Sequence, residues 1–394
     1  MKKLKWVLLG ITVCAGILVA ARVRFQQYEL HKGKENVVLS DLQKNVKEEV
    51  KGTKENSEEN VENPEKKIKH ISQEITENLK IDADIIDGTG EYYEYGVSLD
   101  EVAGETVQKE LSEMTDEEPK ETDEDEDYFA CATSNGGWAA WVQGTFQISK
   151  KEGRDDDLHD LLENWINQHE EDMKEEDLPF MSEEEASELV MTYIKKFTQE
   201  ECKVIWVKGL DADHLKKSYQ EMYASGDKWS IDENELETMD GAYLIKVEGY
   251  KDGLPVYSKV DEQPIETVME WSVAQKFVAT AVVTKDGIRF FQIDNPYKID
   301  ENKKRKIEIL TASEAADIAL KRLQNQILNG TNVIDKIYLE YIMIADTEMW
   351  KPQYLRPYWT IEYVNTTNEN GVIAETREAI RINAETGEDA AYGK

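Results

Sequence analysis

Histidine and cysteine are the scarce residues of this chain. Its 394 residues include five histidines and three cysteines. No histidine follows His214 and no cysteine follows Cys202. The long C-terminal part therefore has neither an imidazole base nor a thiolate. This excludes a Ser-His-Asp arrangement or a His/Cys zinc site confined to it. Cys14 lies in an apolar segment, so Cys131 with Cys202 is the one intramolecular disulfide open to the rest, and three cysteines do not make a disulfide scaffold. Positive charge is also short. Lys and Arg number 47 against 82 Asp and Glu, for a net charge of −35. Such a surface repels phosphates, which disfavours nucleic acid as a partner unless a local basic patch overrides the field, and no nucleic acid is expected. The phosphate-loop pattern is absent, and Gly88-Thr89-Gly90 runs on into Glu-Tyr-Tyr, which is no dinucleotide fingerprint. The acidic run Asp123 to Asp127 lacks the glycine of a calcium loop. No cofactor and no metal site is expected.

Only one long apolar run is present, Trp6 to Ala21, preceded by Lys2, Lys3 and Lys5. At about 1.5 Å per residue it reaches roughly 24 Å, short of a ~30 Å hydrocarbon core, and flanking lysines extend it by snorkelling. The charge asymmetry favours a transmembrane anchor with the C-terminus outside. Two alternatives stay open. Val19-Ala20-Ala21 is a passable cleavage site, though Arg22 and Arg24 follow it, and Cys14 is a lipidation candidate preceded by Val13 rather than a small residue. All three put the rest of the chain outside the cytoplasm, and the anchor reading adopted keeps it at the cell membrane.

Residues 22–128 read as an acidic, largely disordered stalk. Lys51 to Lys69 has almost no apolar residues and cannot offset its own ordering entropy. Ile71, Ile75 and Leu79 share a helical face, and Tyr92, Tyr93 and Tyr95 lie in a Gly-flanked stretch that reads as either a strand or a sticky patch.

Residues 129–300 read as a first α+β domain. Phe129 to Ile148 predicts short strands, and Leu158, Leu161, Leu162, Trp165, Ile166 and His169 predict a helix. Ser182 to Glu185 forms a capping box ahead of Ala186, Leu189, Val190, Tyr193, Ile194 and Phe197 on one face. Lys251-Asp252-Gly253 and Lys285-Asp286-Gly287 are hairpin turns. Residues 301–394 repeat the grammar. Thr311 to Glu314 is a second capping box, followed by a stripe from Ala315 to Leu328 and strands at Ile337 to Ile344, Trp359 to Val364 and Ala379 to Ile382. The fold class expected is α+β: an N-terminal transmembrane helix and short tail at 1–21, the stalk, then two helix-plus-antiparallel-sheet modules.

The run LTASEAADIALKRL, the strand KIYLEYIMI, the segment LRPYWTIEYV and the closing IRINAETGED together resemble a PepSY-type module. In particular they resemble the extracytoplasmic domains of YycH and YycI. The hairpin EGYKDGLPVYS is similar to the strand that precedes that module. The resemblance implies a bitopic, non-catalytic regulator that restrains a membrane sensor kinase in Gram-positive bacteria. Its matching residues are structural, so it assigns no catalytic residue.

Two surfaces invite closer reading. Trp350 to Trp359 gathers aromatics around two prolines, and Trp350, Tyr354, Arg356 and Tyr358 are the candidate partner-binding residues, since Trp, Tyr and Arg dominate contact hot spots. The competing reading packs these rings on the helix from Ala315. Cys131 with His159 or His169 is the one Cys/His pairing available for thiol chemistry, against the plainer reading that each is structural. The aromatic stretch from Phe129 to Phe146 motivates the alternative of an envelope-polymer or small-ligand binding protein, or an envelope enzyme.

Overall fold

Alternation of apolar and polar residues builds most of this molecule. Leu79, Ile81, Ala83 and Ile85 are buried while the residues between them are exposed, the period of a half-buried strand. The computed structural model describes residues 68–86, 90–125, 128–142, 144–169, 177–224, 230–231, 233–256, 274–275, 277–325, 330–345, 352–369 and 372–388. The chain divides into two units, Met1–Glu58 and Glu59–Lys394, and every described residue belongs to the second.

The strands form two sheets. The first, sheet A, has eight strands: β1 (Ile68–Thr76), β2 (Leu79–Ile86), β3 (Tyr92–Leu99), β11 (Ala274–Gln275), β14 (Tyr297–Ile307), β15 (Thr331–Ala345), β16 (Pro352–Glu369) and β17 (Val372–Asn383). The second, sheet B, has nine: β4 (Glu121–Asp125), β5 (Tyr128–Ala132), β6 (Trp138–Val142), β7 (Thr145–Ser149), β8 (Glu201–Leu210), β9 (Ala242–Lys251), β10 (Leu254–Pro255), β12 (Val278–Thr284) and β13 (Gly287–Asp294). Among the described strands all pairings are antiparallel except β2 on β15, which is parallel, and an isolated parallel bridge also joins Val256 to Tyr341.

Helices cover both faces of sheet B. Phe290 and Phe291 are successive residues of β13, so they point to opposite faces. On the Phe290 side lie α2 (Arg154–His169), α4 (Ala212–Ala224) and α5 (Glu233–Glu237), where Leu158, Leu161, Leu162, Leu215 and Leu236 join Leu244, Val282 and Phe290 in one core. On the Phe291 side lies α3 (Glu183–Ile194), with Tyr193 and Phe197 against Phe291 and Phe146. α1 (Gly104–Thr115) packs on β5 and β6 of this side and is tied to the end of α3 by Lys196, which bonds Glu110 at 2.6 Å and Glu113 at 2.9 Å. In sheet A, α6 (Ala312–Asn325) packs on β15, β16 and β17, and Trp359 Nε1 donates to the Leu310 carbonyl at 2.9 Å. Both capping boxes form as the sequence predicts, Ser182 with Glu185 and Thr311 with Glu314.

The turn between β9 and β10 joins the two sheets. Asp252 and Gly253 have φ of 51° and 76°, the left-handed pair that a two-residue hairpin requires. The Asp252 carboxylate accepts from Tyr95 Oη at 2.6 Å and from Tyr341 Oη at 3.1 Å, both in sheet A. The predicted turn is thus also a clasp.

The expected fold class is corrected. Strand accounts for 52% of the described residues and helix for 26%, so this is a mostly β protein rather than two helix-plus-sheet repeats. Sheet A is not a C-terminal module either. It takes β1 to β3 from the segment expected to be a disordered stalk, and the expected boundary at 300/301 falls inside β14. Ile71 and Ile75 lie on β1 and Leu79 on β2, so the helical face proposed for them is two paired strands. No helix among the described residues is long and apolar enough to cross a membrane. The expected anchor at 6–21 lies outside the described residues.

Candidate functional site

β16 places its residues on alternate sides, which divides the proline-aromatic segment in two. Leu355, Pro357 and Trp359 face the core under α6 and are buried. Tyr354, Arg356 and Tyr358 share the other side. Tyr358 is 1% exposed and forms a buried cluster with Ile342 and Ile344, against which Tyr354 packs half-buried. Tyr358 is therefore a packing residue, and burial withdraws it from any partner. Trp350 lies outside the described residues. What remains at the surface is Tyr354 with Arg356, whose guanidinium carbon lies 4.7 Å from the Tyr354 ring centre. This is a cation–π stack.

Glutamates hold that stack from behind. Glu94 of β3 is 8% exposed and bonds Arg356 Nε on one side and Arg305 Nε, at 3.2 Å, on the other. Arg305 also forks onto Glu385, with Nη1 and Nη2 at 2.7 and 2.8 Å from its two oxygens. The Arg305 guanidinium holds the Glu385 carboxyl below the usual carboxylate range. The result is a fixed row, Tyr354, Arg356, Glu94, Arg305 and Glu385, spanning β16, β3, β14 and the turn after β17. Sequence reading found Tyr354 and Arg356. It missed Glu94 and Arg305, because only the long-range pairing of β3 with β14 and β16 brings them there.

Sheet B carries a cleft of about 610 Å³, beside α5 and the β12–β13 turn. Most of its charged lining, Lys151 and Asp286 apart, is committed to internal pairs. Arg289 lies 2.5 Å from Asp155 and 3.2 Å from Glu235, Arg154 bonds Glu235 at 2.9 Å, and Lys285 bonds Asp240 at 2.8 Å. Burial pushes the Asp155 carboxyl up against the opposing pull of Arg289. Asp155 is fully buried, so it braces the cleft wall and is shielded from anything inside it. Arg289 sits in the run IRFFQI, and nothing in the sequence marks it as anything but a strand residue.

The Cys/His pairing is not assembled. Cys131 is in register with Ala139, which is in register with Ile148 and so with Phe291, and these share one face of sheet B. His159 stacks on Phe290, on the opposite face, and His169 stacks on Trp165 at 3.9 Å, on the α2 side. The sheet stands between thiol and imidazoles. Both described cysteines are free, with burial pushing the Cys131 thiol up to about 11 and the Cys202 thiol up to about 12. Thiols held that high are poor nucleophiles at neutral pH. Among the described residues, no group of three or more His, Cys, Asp or Glu side chains is arranged to hold a metal ion.

No protein-family model matches this chain, and no curated protein matches it. Its fold does recur. A crystal structure of an uncharacterized protein from Eubacterium rectale superposes with a TM-score of 0.55 at 18% identity, covering 81% of this chain and 92% of the other. At that identity the likeness concerns the fold alone.

Proposed function

We propose that this chain is a non-catalytic binding protein of the cell envelope that acts by contact with another envelope protein, a membrane sensor kinase being the class of partner that the sequence resemblance suggests. The observation that carries the reading is the Tyr354–Arg356 stack, fixed by Glu94 and backed by the Arg305–Glu385 fork. Tyr and Arg are the residue types that contribute most at protein contacts. Holding them in place before binding lowers the entropy lost on association. The lysine-flanked apolar run at 6–21 supports an envelope location. The shielded thiols and ring-stacked histidines support a role without covalent chemistry.

The alternative, binding of envelope polymer through the aromatic stretch at 129–146, loses part of its motive. Trp141 is 8% exposed and Phe146 is fully buried, so these rings serve the core rather than a sugar platform. Cross-linking of the full chain in native membranes tests the proposal. One dominant membrane-protein adduct is expected. Adducts spread evenly over many proteins, with retention of the chain on purified cell-wall glycan, would replace this reading with the polymer-binding one.

A further inference from the structure

Exposed sheet edges are templates for pairing with other chains, and proteins guard them with bulges, single-sign charge or short length. The long edges described here are guarded in this way, with one exception. β1 has a register break between Glu74 and Thr76. β8 has one between Val204 and Trp206. β14 has one between Asp300 and Arg305. β4, Glu-Thr-Asp-Glu-Asp, is short and of one sign. β17 differs from all of these. It pairs with β16 over twelve consecutive residues from Val372 to Asn383 without a break, and among the described residues it has no strand on its other side. Residues 373–378 are exposed, and Ile373, at 66%, is the most exposed large apolar side chain described.

The charges on this edge are mixed, and their order matters. For two copies related by a two-fold axis normal to the sheet, opposed residues must lie on the same face. Their numbers must then share parity, which places the axis on a residue rather than between two. Centred on Glu375 or on Arg377, the pairing sets like charges against each other. Centred on Thr376, it sets Glu375 against Arg377 of the second copy, and Arg377 against its Glu375. The same register lays Ile373 on Ala379 and Ala374 on Glu378. Arg377 reaches inward in the single chain, with Nη2 2.7 Å from Asp335 of β15 and Nη1 3.1 Å from Glu362 of β16, so pairing across the edge requires its 53% exposed side chain to turn outward.

We propose that β17 is a self-pairing edge, and that two copies of this chain join their A sheets antiparallel about Thr376 through the reciprocal Glu375–Arg377 pairs. The edge lies in the part of the chain where charge is nearly balanced, twelve basic and fifteen acidic residues from 301 to 394. The remaining acidity of the chain still repels a second copy, so moderate salt, which screens that long-range field, favours the dimer over low salt.

The test is sedimentation of the full chain in mild detergent, across a concentration series at moderate ionic strength. The native chain should pass from monomer to dimer. Glu375→Arg and Arg377→Glu, each alone, should weaken the dimer by about tenfold, since both cross-strand pairs become repulsive. Mixed in equal amounts, the two variants should restore it, because each then meets its opposite. A native chain that stays monomeric throughout overturns the proposal, as does a dimer that both single variants leave intact. Arg377 also serves Asp335 and Glu362, so Thr376→Cys supplies a check that does not disturb them. Mild oxidation should link two copies at position 376, while the native chain stays unlinked. Absence of that link also overturns the proposal. A monomer that still captures a membrane protein would refute self-pairing and leave the proposed function standing.

Discussion

Sheet A and sheet B solve burial differently. Sheet B packs mainly apolar faces under helices, with Phe146, Phe197 and Phe291 stacked on one side and the α2 leucines on Phe290 on the other. Its buried charges, Asp155 with Arg289 and Lys246 with Glu163, sit at the helix contacts. Sheet A is apolar beneath α6, but its other face buries charge. Glu340, Thr360, Glu362 and Arg381 are all under 5% exposed there, and Arg381 Nε lies 3.2 Å from Glu340. Apolar packing tolerates many arrangements of similar volume, whereas a buried ion pair accepts few. Sheet A, with its ionic ladder, fixed Tyr–Arg stack and open β17 edge, carries the surfaces proposed for contact.

The sharpest break in that comparison is Arg381→Met. It leaves Glu340 buried without its cation and should cost about 3–5 kcal/mol in urea unfolding, whereas Glu340→Leu combined with Arg381→Met should recover most of the loss. A loss under 1 kcal/mol for Arg381→Met would mean that the ladder does not constrain sheet A. The clasp between the sheets comes next. Asp252→Ala removes the acceptor of two phenols and should cost about 1–3 kcal/mol. If the two sheets are independent bodies, the same change will leave the unfolding midpoint where it was.

The caps supply a matched pair. Ser182→Ala on α3 and Thr311→Ala on α6 each remove a capping box and should each cost about 1 kcal/mol. Unequal losses would show that one sheet depends on its helix more than the other. The smallest effect is at His70, on the rim of sheet A, where its ring nitrogens lie 3.0 Å from Asp84 and from Asp82. Those carboxylates raise its pKa, the Asp84 hydrogen bond most. A raised folded-state value means its contribution is fully present below the unfolded pKa, near 6.5, and is lost as pH rises through the folded one. NMR titration of His70 should give a midpoint above that of the unfolded chain. A midpoint at or below it contradicts the pairing of β1 with β2 in this register.

The local grammar of the fold was legible. Both capping boxes, the Asp252-Gly253 turn and the helix at Leu158 to His169 follow from residue type and period alone. The assembly was not, because β3, β14 and β16 meet across more than two hundred residues, and only that meeting brings Glu94 between Arg305 and Arg356. Charge also hid structure. Lys80, Asp82 and Asp84 made a strand read as stalk, although Leu79, Ile81, Ala83 and Ile85 alternate between them. α4 was passed over although Leu215, Tyr219 and Met222 recur at helical spacing and pack on the α2 core. Of the candidate contact residues, the aromatic signal of the segment could not separate Tyr358, which packs, from Tyr354, which reaches the surface. The strand period separates the β16 residues into two sides, but burial along one side depends on what the neighbouring strands supply.

Site-specific photo-cross-linking tests the central claim most directly. A photoreactive residue at position 354 of the full chain, activated in native membranes, should give one dominant membrane-protein adduct, and the same probe at Leu189, exposed on α3 over sheet B, should give none. No adduct at 354, or the same adducts at 354 and 189, would contradict the assignment of sheet A as the contact surface.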